Sequence, residues 1–311
     1  MNYLAFDMDA TLGEFITIWR IMCIFRQKEF YLEDNQPLSN IDLNWDLGIS
    51  YSAFIKLIVD AESNKTPLGI FRPGIFSLFK EIAKMKDSRK IAGVIMYTNN
   101  GSKPLVDFVR DVFTYVTESD VFDDVFYYHH KLRVKKNGKP NPNKTWFELK
   151  ILLKSIGAPD TVSPKNVLFF DDQEHTSLIS TLKKNYIHVT PYNYKPPLAK
   201  LINIYKQSLN QSELLSDKNK KKFLLYIKRC TQNKIVQNEH SHLNLLSATT
   251  SKYINNINNI NLEFQNETKF GSNYMLKSIK RVVDENLKKL NKTLKQGYKT
   301  KPLTKFTYKR R

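Results

Sequence analysis

Tyr3-Leu4-Ala5-Phe6-Asp7-Met8-Asp9-Ala10-Thr11 is the stretch that decides how the rest of the chain is read. Four apolar residues with no polar alternate describe a strand buried on both faces, the kind found inside a parallel sheet. The run then gives way to Asp7, Asp9 and Thr11 at alternate positions. A polar cluster at the end of a buried strand is either a turn or a site. Which of the two it is depends on what other strands carry to the same edge.

Further short apolar runs occur at Ala92 to Tyr97, Val125 to Tyr128, Val167 to Phe170 and Tyr186 to Val189. Between them, Ile75 to Met85, Pro104 to Phe113, Thr145 to Ile156 and Thr176 to Lys184 carry apolar residues three and four apart, and Gly157 stands as a stop after the third. This alternation predicts an α/β fold, a doubly wound, Rossmann-like parallel sheet with crossover helices. A small helical insertion over about residues 13–70 interrupts it, with helices expected within Phe15 to Tyr31 and near Ser52 to Ala61, where they could cap a site. Phe15 to Phe25 is apolar almost all round, which predicts burial on several sides, with docking onto a partner as the alternative.

Pro196 and Pro197 set a boundary. The chain divides there into a sheet domain, 1–197, and a basic region, 198–311, expected to be mainly helical or partly disordered. The net charge is +19, of which about +16 falls after residue 200, where about 23 Lys and Arg face about 7 Asp and Glu. Residues 218–222 and 299–311 are basic runs, and Tyr274 to Leu294 has an amphipathic helical pattern. Tyr298, Phe306 and Tyr308, interleaved with cations, suit a nucleic-acid or nucleoprotein surface as well as a solvated tail. No run is apolar and long enough for a membrane span or a signal peptide, and two cysteines, Cys23 and Cys230, make no disulfide framework. The expected location is intracellular, cytoplasmic or nuclear, the Tyr308-Lys-Arg-Arg end being a possible nuclear address.

Three other segments supply the company Asp7 needs. One run ends in Tyr97-Thr98-Asn99-Asn100, another in Asp171-Asp172, and Lys144 opens the helix before the latter. In an open parallel sheet the carboxyl ends of strands share one edge, so these groups can converge. A carboxylate there can attack a phosphoryl group, and Asp7 at the strand tip is the candidate nucleophile. Asp9, two residues on, would protonate the leaving oxygen and then deprotonate water. Crowded acids facing a phosphate dianion require a cation, and an all-oxygen set of Asp7, Asp9, Asp171 and Asp172 suits Mg²⁺. Lys144 would offset charge on the transferred group, with Thr98 and Asn99 holding its oxygens. Lys139, in Lys-Pro-x-Pro, is an alternative to Lys144. His129 and His130 alternate across an extended segment and cannot share a metal, and His240 and His242 have no third partner in view.

In this order and context, Asp7-x-Asp9-x-Thr11, Thr98, Lys144 and Asp171-Asp172 resemble the haloacid dehalogenase superfamily of phosphohydrolases over residues 1 to 195. The Phe71-Arg72-Pro73-Gly74 turn is similar to that of the polymerase C-terminal-domain phosphatases (NLI-interacting-factor-like). Lys144-Thr145-Trp146-Phe147 and Leu168-Phe169-Phe170-Asp171-Asp172 look like the small magnesium-dependent phosphatases. The resemblance implies a magnesium-dependent phosphoric monoester hydrolase, with a phosphoprotein as expected substrate. Ala10 replaces the Glu or Gly common in such motifs, and the insertion is longer than usual, which leaves the substrate open. Two alternatives remain: a small-molecule or nucleic-acid 3′-phosphatase, and a nucleic-acid-binding or assembly protein that keeps the fold as a scaffold.

Overall fold

The computed structural model describes residues 2–19, 47–64, 67–133, 135–136, 138–194 and 196, short helical stretches between 200 and 208, and residues 271–285 and 288. The remainder of the Phe15 to Tyr31 helix beyond residue 19, both cysteines, His240, His242 and both basic runs lie outside the described residues. In chain order the elements are β1 (Tyr3–Phe6), α1 (Leu47–Glu62), α2 (Ile75–Asp87), β2 (Gly93–Tyr97), α3 (Lys103–Thr117), β3 (Asp124–Phe126), β4 (Lys135–Lys136), β5 (Lys139–Pro140), α4 (Trp146–Ser155), β6 (Val167–Asp171), α5 (Thr176–Leu182) and β7 (Tyr186–His188). A further helix, α6, spans 271–285. None of the described helices is long and apolar enough to cross a membrane.

Five strands form one parallel sheet in the order β3-β2-β1-β6-β7. β1 sits at its centre, with Phe6 paired to Met96 on one side and to Phe170 on the other. Because successive side chains point to opposite faces, the strands feed two cores. Leu4, Phe6, Met96 and Phe170 pack beneath α1, α2 and α3, while Tyr3, Ala5, Tyr97 and Phe169 pack beneath α4 and α5. The Phe6 and Phe170 rings stack across the strands at 4.7 Å between centroids. Burial on both faces is the reason these strands read as unbroken apolar runs.

The sequence-predicted elements shift at several ends. Tyr128 leaves the β3 ladder, because its N–H bonds the Asn100 carbonyl at 2.9 Å and the chain turns at His130 onto Tyr127. Lys144 precedes α4 instead of opening it; Thr145 is the N-cap and accepts the Glu148 N–H at 3.2 Å. Lys135–Lys136 and Lys139–Pro140 form a two-stranded antiparallel ribbon. Of the apolar Phe15 to Phe25 segment, the described turn at 16–19 is not buried all round. Phe15 and Ile18 are buried, while Ile16 and Trp19 are exposed.

α6 carries Met275, Ile279, Val282 and Val283 into the same core as α1 to α3, where Leu201 and Ile204 join them. Ser272 Oγ donates to the Pro73 carbonyl at 2.7 Å, and a Cβ at Gly271 would stand 2.7 Å from an Arg72 guanidinium nitrogen. The composition change at residue 197 is therefore not the edge of the core. Removing everything after residue 200 would strip part of the sheet domain's own packing, as well as the basic runs.

At the end of α1, Glu62 accepts the Gly69 and Ile70 backbone N–H groups at 3.2 and 2.7 Å. Burial pushes its carboxyl up to about 7, although these donors pull the other way. The folded state then holds this proton at pH values where the unfolded chain, near 4.5, has lost it, so stability falls as pH rises from about 4.5 to 7 and levels off above. Glu62→Gln is expected to remove about 1 to 2 kcal/mol of that decline, after allowance for solvent screening. Urea midpoints of both proteins at pH 5 and pH 8 give the difference; an equal decline in the two would exclude it.

Candidate active site

From β1 the chain passes to β2 and β3 on one side, then returns to β6 and β7 on the other. The strand order therefore reverses between β1 and β6, the place where open α/β sheets leave a crevice at their carboxyl edge. Asp7, just past β1, donates its N–H to Phe170 of β6 at 2.8 Å, and Asp171 ends β6. The two carboxyl groups are thus held side by side by the ladder itself.

Lys144 fills the space between them. Its Nζ lies 2.6 Å from Asp7 Oδ1 and 2.7 Å from Asp171 Oδ2, with all three side chains buried. The Tyr97 and Phe169 rings flank the ammonium at 5.5 and 5.3 Å from their centroids. Burial lowers the affinity of Lys144 for its proton, but the two carboxylates outweigh it and raise its pKa. Burial pushes Asp7 up to about 8, against the pull of Lys144 and with the repulsion of Asp171. For Asp171 burial acts in the same sense, yet Lys144, the His175 side chain and the Gln173 N–H together hold it below the usual carboxylate range. Lys139 lies exposed on the β4–β5 ribbon, so the alternative lysine stands apart from this cluster.

Asp172 faces Thr11: its Oδ1 accepts the Thr11 hydroxyl at 3.1 Å, and its N–H donates back to Thr11 Oγ1 at 3.0 Å. Oxygens of Asp7, Asp171 and Asp172 lie within 4.8 Å of one another. Three clustered carboxylates and one lysine leave an excess of negative charge, and an all-oxygen donor set fits a small hard dication. Asp9 is outside this grouping. Its Oδ2 accepts from Asn100 Nδ2 at 2.9 Å, and burial raises its pKa although that bond and Lys144 oppose it.

The Asp7–Gly13 loop owes its shape to backbone bonds and to Arg72. Leu12 N bonds Met8 O at 2.8 Å, and Ala10 N bonds Gly13 O at 2.8 Å. A Cβ at Gly13 would lie 2.3 Å from the Ile70 carbonyl, so only glycine fits there. Ala10 has φ of 56°, a left-handed conformation that glycine would adopt without its methyl cost. Buried Arg72 donates to the carbonyls of Thr11, Ala10 and Thr190 at 2.8, 2.7 and 2.6 Å, tying the loop to the segment after β7.

Thr98 follows the last residue of β2, beside β1. Its hydroxyl accepts the Asn100 N–H at 3.1 Å, and its carbonyl accepts from Arg133 at 2.8 Å. The Asn99 side chain ties its loop to two other segments: its Oδ1 accepts from Arg133 at 2.9 Å and its Nδ2 donates to Pro142 O at 2.8 Å. Arg133 also pairs with Glu148 at 2.6 Å, both side chains fully buried, and the Tyr97 hydroxyl donates to Glu148. His175 accepts the Lys144 N–H on Nδ1 at 3.4 Å and turns Nε2 toward Asp171 Oδ2, also at 3.4 Å.

The structure thus brings Asp7, Lys144, Asp171 and Asp172 together, with Asp9 and Thr98 on the adjoining loops. Sequence reasoning missed Asn100, Arg133, Glu148 and His175 and gave Arg72 no role. Asn100 was visible in the Thr-Asn-Asn run after a buried strand; the other three carry no local signal. Comparison with protein-family models, curated proteins and solved structures finds no match to this chain.

Proposed function

We propose that this protein is a Mg²⁺-dependent phosphatase of the haloacid dehalogenase type, acting through an aspartyl-phosphate intermediate on a phosphoprotein. The observation that carries the proposal is the buried Lys144 ammonium between Asp7 and Asp171 at the strand-order reversal, with Asp172 within reach of both. Asp7, Asp171 and Asp172 would hold the metal, which when bound offsets their charge and polarises the phosphoryl oxygens. Asp7 attacks phosphorus, forming the acyl phosphate O–P bond as the bond to the leaving oxygen breaks. Asp9 gives its proton to that oxygen, then takes one from the water that releases inorganic phosphate. Lys144 pulls Asp7 toward its ionised form against the effect of burial and offsets charge on the transferred group. The basic residues after 200 would bring this activity to nucleic acid or a nucleoprotein assembly.

Hydrolysis of 4-nitrophenyl phosphate, measured with and without Mg²⁺ and beside Asp7→Asn, tests this. Turnover is expected to require the metal and to fall at least about 10³-fold in Asp7→Asn. Equal rates in the two proteins would refute it.

A further inference from the structure

A cavity of about 530 Å³ opens beside Asp9. Asp9 and Asn100 belong to its polar lining, Leu105 and His129 to the side formed by α3 and the segment after β3, and Ile16 and Trp19 to the turn at 16–19. That turn is apolar on two faces. Phe15 and Ile18 enter the core, whereas Ile16 and Trp19, three residues apart on one face, stay 51% and 40% exposed. Two large side chains left uncovered together next to a catalytic carboxylate are a binding wall more readily than scattered surface.

On the phosphatase reading, on which this inference rests, Asp9 protonates the leaving oxygen. Whatever is bonded to that oxygen must then extend into the space bordering Asp9. No lysine or arginine is among the described residues lining it, so none of these offsets a second anionic group. Trp19 and His129 offer flat π faces, and Ile16 and Leu105 offer apolar contact. A serine leaving group carries one methylene and would leave Ile16 and Trp19 uncovered; a phenol ring would cover them. We infer that this cavity is the leaving-group subsite and that it takes an aromatic alcohol, so that the favoured substrates are aryl phosphomonoesters, phosphotyrosine in a protein.

The test uses two peptides identical but for phosphotyrosine or phosphoserine, on the full chain with saturating Mg²⁺. Aryl esters have the better leaving group, so the decisive quantity is the change in the kcat/KM ratio between variants. Trp19→Ala is expected to lower the phosphotyrosine-to-phosphoserine ratio about tenfold, and Trp19→Phe to restore most of it. Binding of the same peptides to Asp7→Asn by calorimetry should show about tenfold tighter binding of phosphotyrosine, lost when Trp19→Ala is added. An unchanged kcat/KM ratio in Trp19→Ala overturns the subsite while leaving the phosphatase intact. No hydrolysis of either peptide, with the binding preference retained, refutes the phosphatase and supports the aromatic subsite.

Discussion

Lys144→Met is expected to lower phosphomonoester turnover at least about 10³-fold and to cost about 3 kcal/mol of stability. Methionine keeps an unbranched apolar stem between the Tyr97 and Phe169 rings but withdraws the ammonium that both carboxylates share. Asp7 and Asp171 would then face each other buried without the ammonium between them, and the less costly outcome is for one of them to keep its proton. For Asp7, already raised by burial, that means a neutral carboxyl, which is no nucleophile. The pH dependence follows from the sign of each shift. Lys144 is raised, so its contribution is complete below its ordinary value near 10.5 and is lost only as pH climbs through the still higher folded value. Asp171 is lowered, so its contribution is present above the ordinary 3.8 and is lost as pH falls through its lower folded value. Between pH 5 and 9 neither of these two groups titrates, but Asp7, raised to about 8, gives up its proton there and would do so only at higher pH without Lys144, so the deficit of Lys144→Met should grow as pH rises through about 8. Lys144→Arg should also be inactive, since a wider planar group must enter a space closed by two rings. Urea melts and initial rates at saturating Mg²⁺ check both; wild-type turnover in Lys144→Met would remove Lys144 from the chemistry.

The central strand was legible because both faces of β1 are buried, which leaves an apolar run with no polar alternate. The acids were legible because their strands all run one way and deliver their ends to one edge. Choosing Lys144 over Lys139 rested on position along the chain, and the structure separates them by burial. Arg133 and Glu148 could not be read, because nothing in a lone charge marks it as buried with a partner 15 residues away. α6 was legible as an amphipathic helix from Met275, Ile279, Val282 and Val283, but a stripe does not name the surface that covers it. The divalent metal itself was argued from charge balance in sequence, and the structure adds the three-carboxylate cluster that such an ion would fit.

Arg133→Ala is expected to cost about 3 to 5 kcal/mol and to slow turnover by about 10²-fold, although Arg133 touches none of the acids assigned to the reaction. Its guanidinium is fully buried, pairs with Glu148, lies over the Tyr97 ring at 4.7 Å, and donates to Thr98 O, Asn99 Oδ1 and Asn141 O. Removal strands the Glu148 carboxylate inside the protein, which accounts for most of the stability loss. It also frees the Thr98–Asn100 loop, and Asn100 is the residue that holds Asp9 at 2.9 Å. The two effects separate in a compensated variant. Arg133→Met with Glu148→Leu and Tyr97→Phe removes the charges and the hydroxyl together, so no polar side-chain group of this trio stays buried without a partner. Its melting midpoint should return close to wild type, while kcat stays low because the loop still lacks its two guanidinium bonds, to Thr98 O and Asn99 Oδ1. Recovery of both midpoint and kcat would show that the buried pair serves folding alone; recovery of the midpoint without kcat makes Arg133 a positioning residue for Asp9.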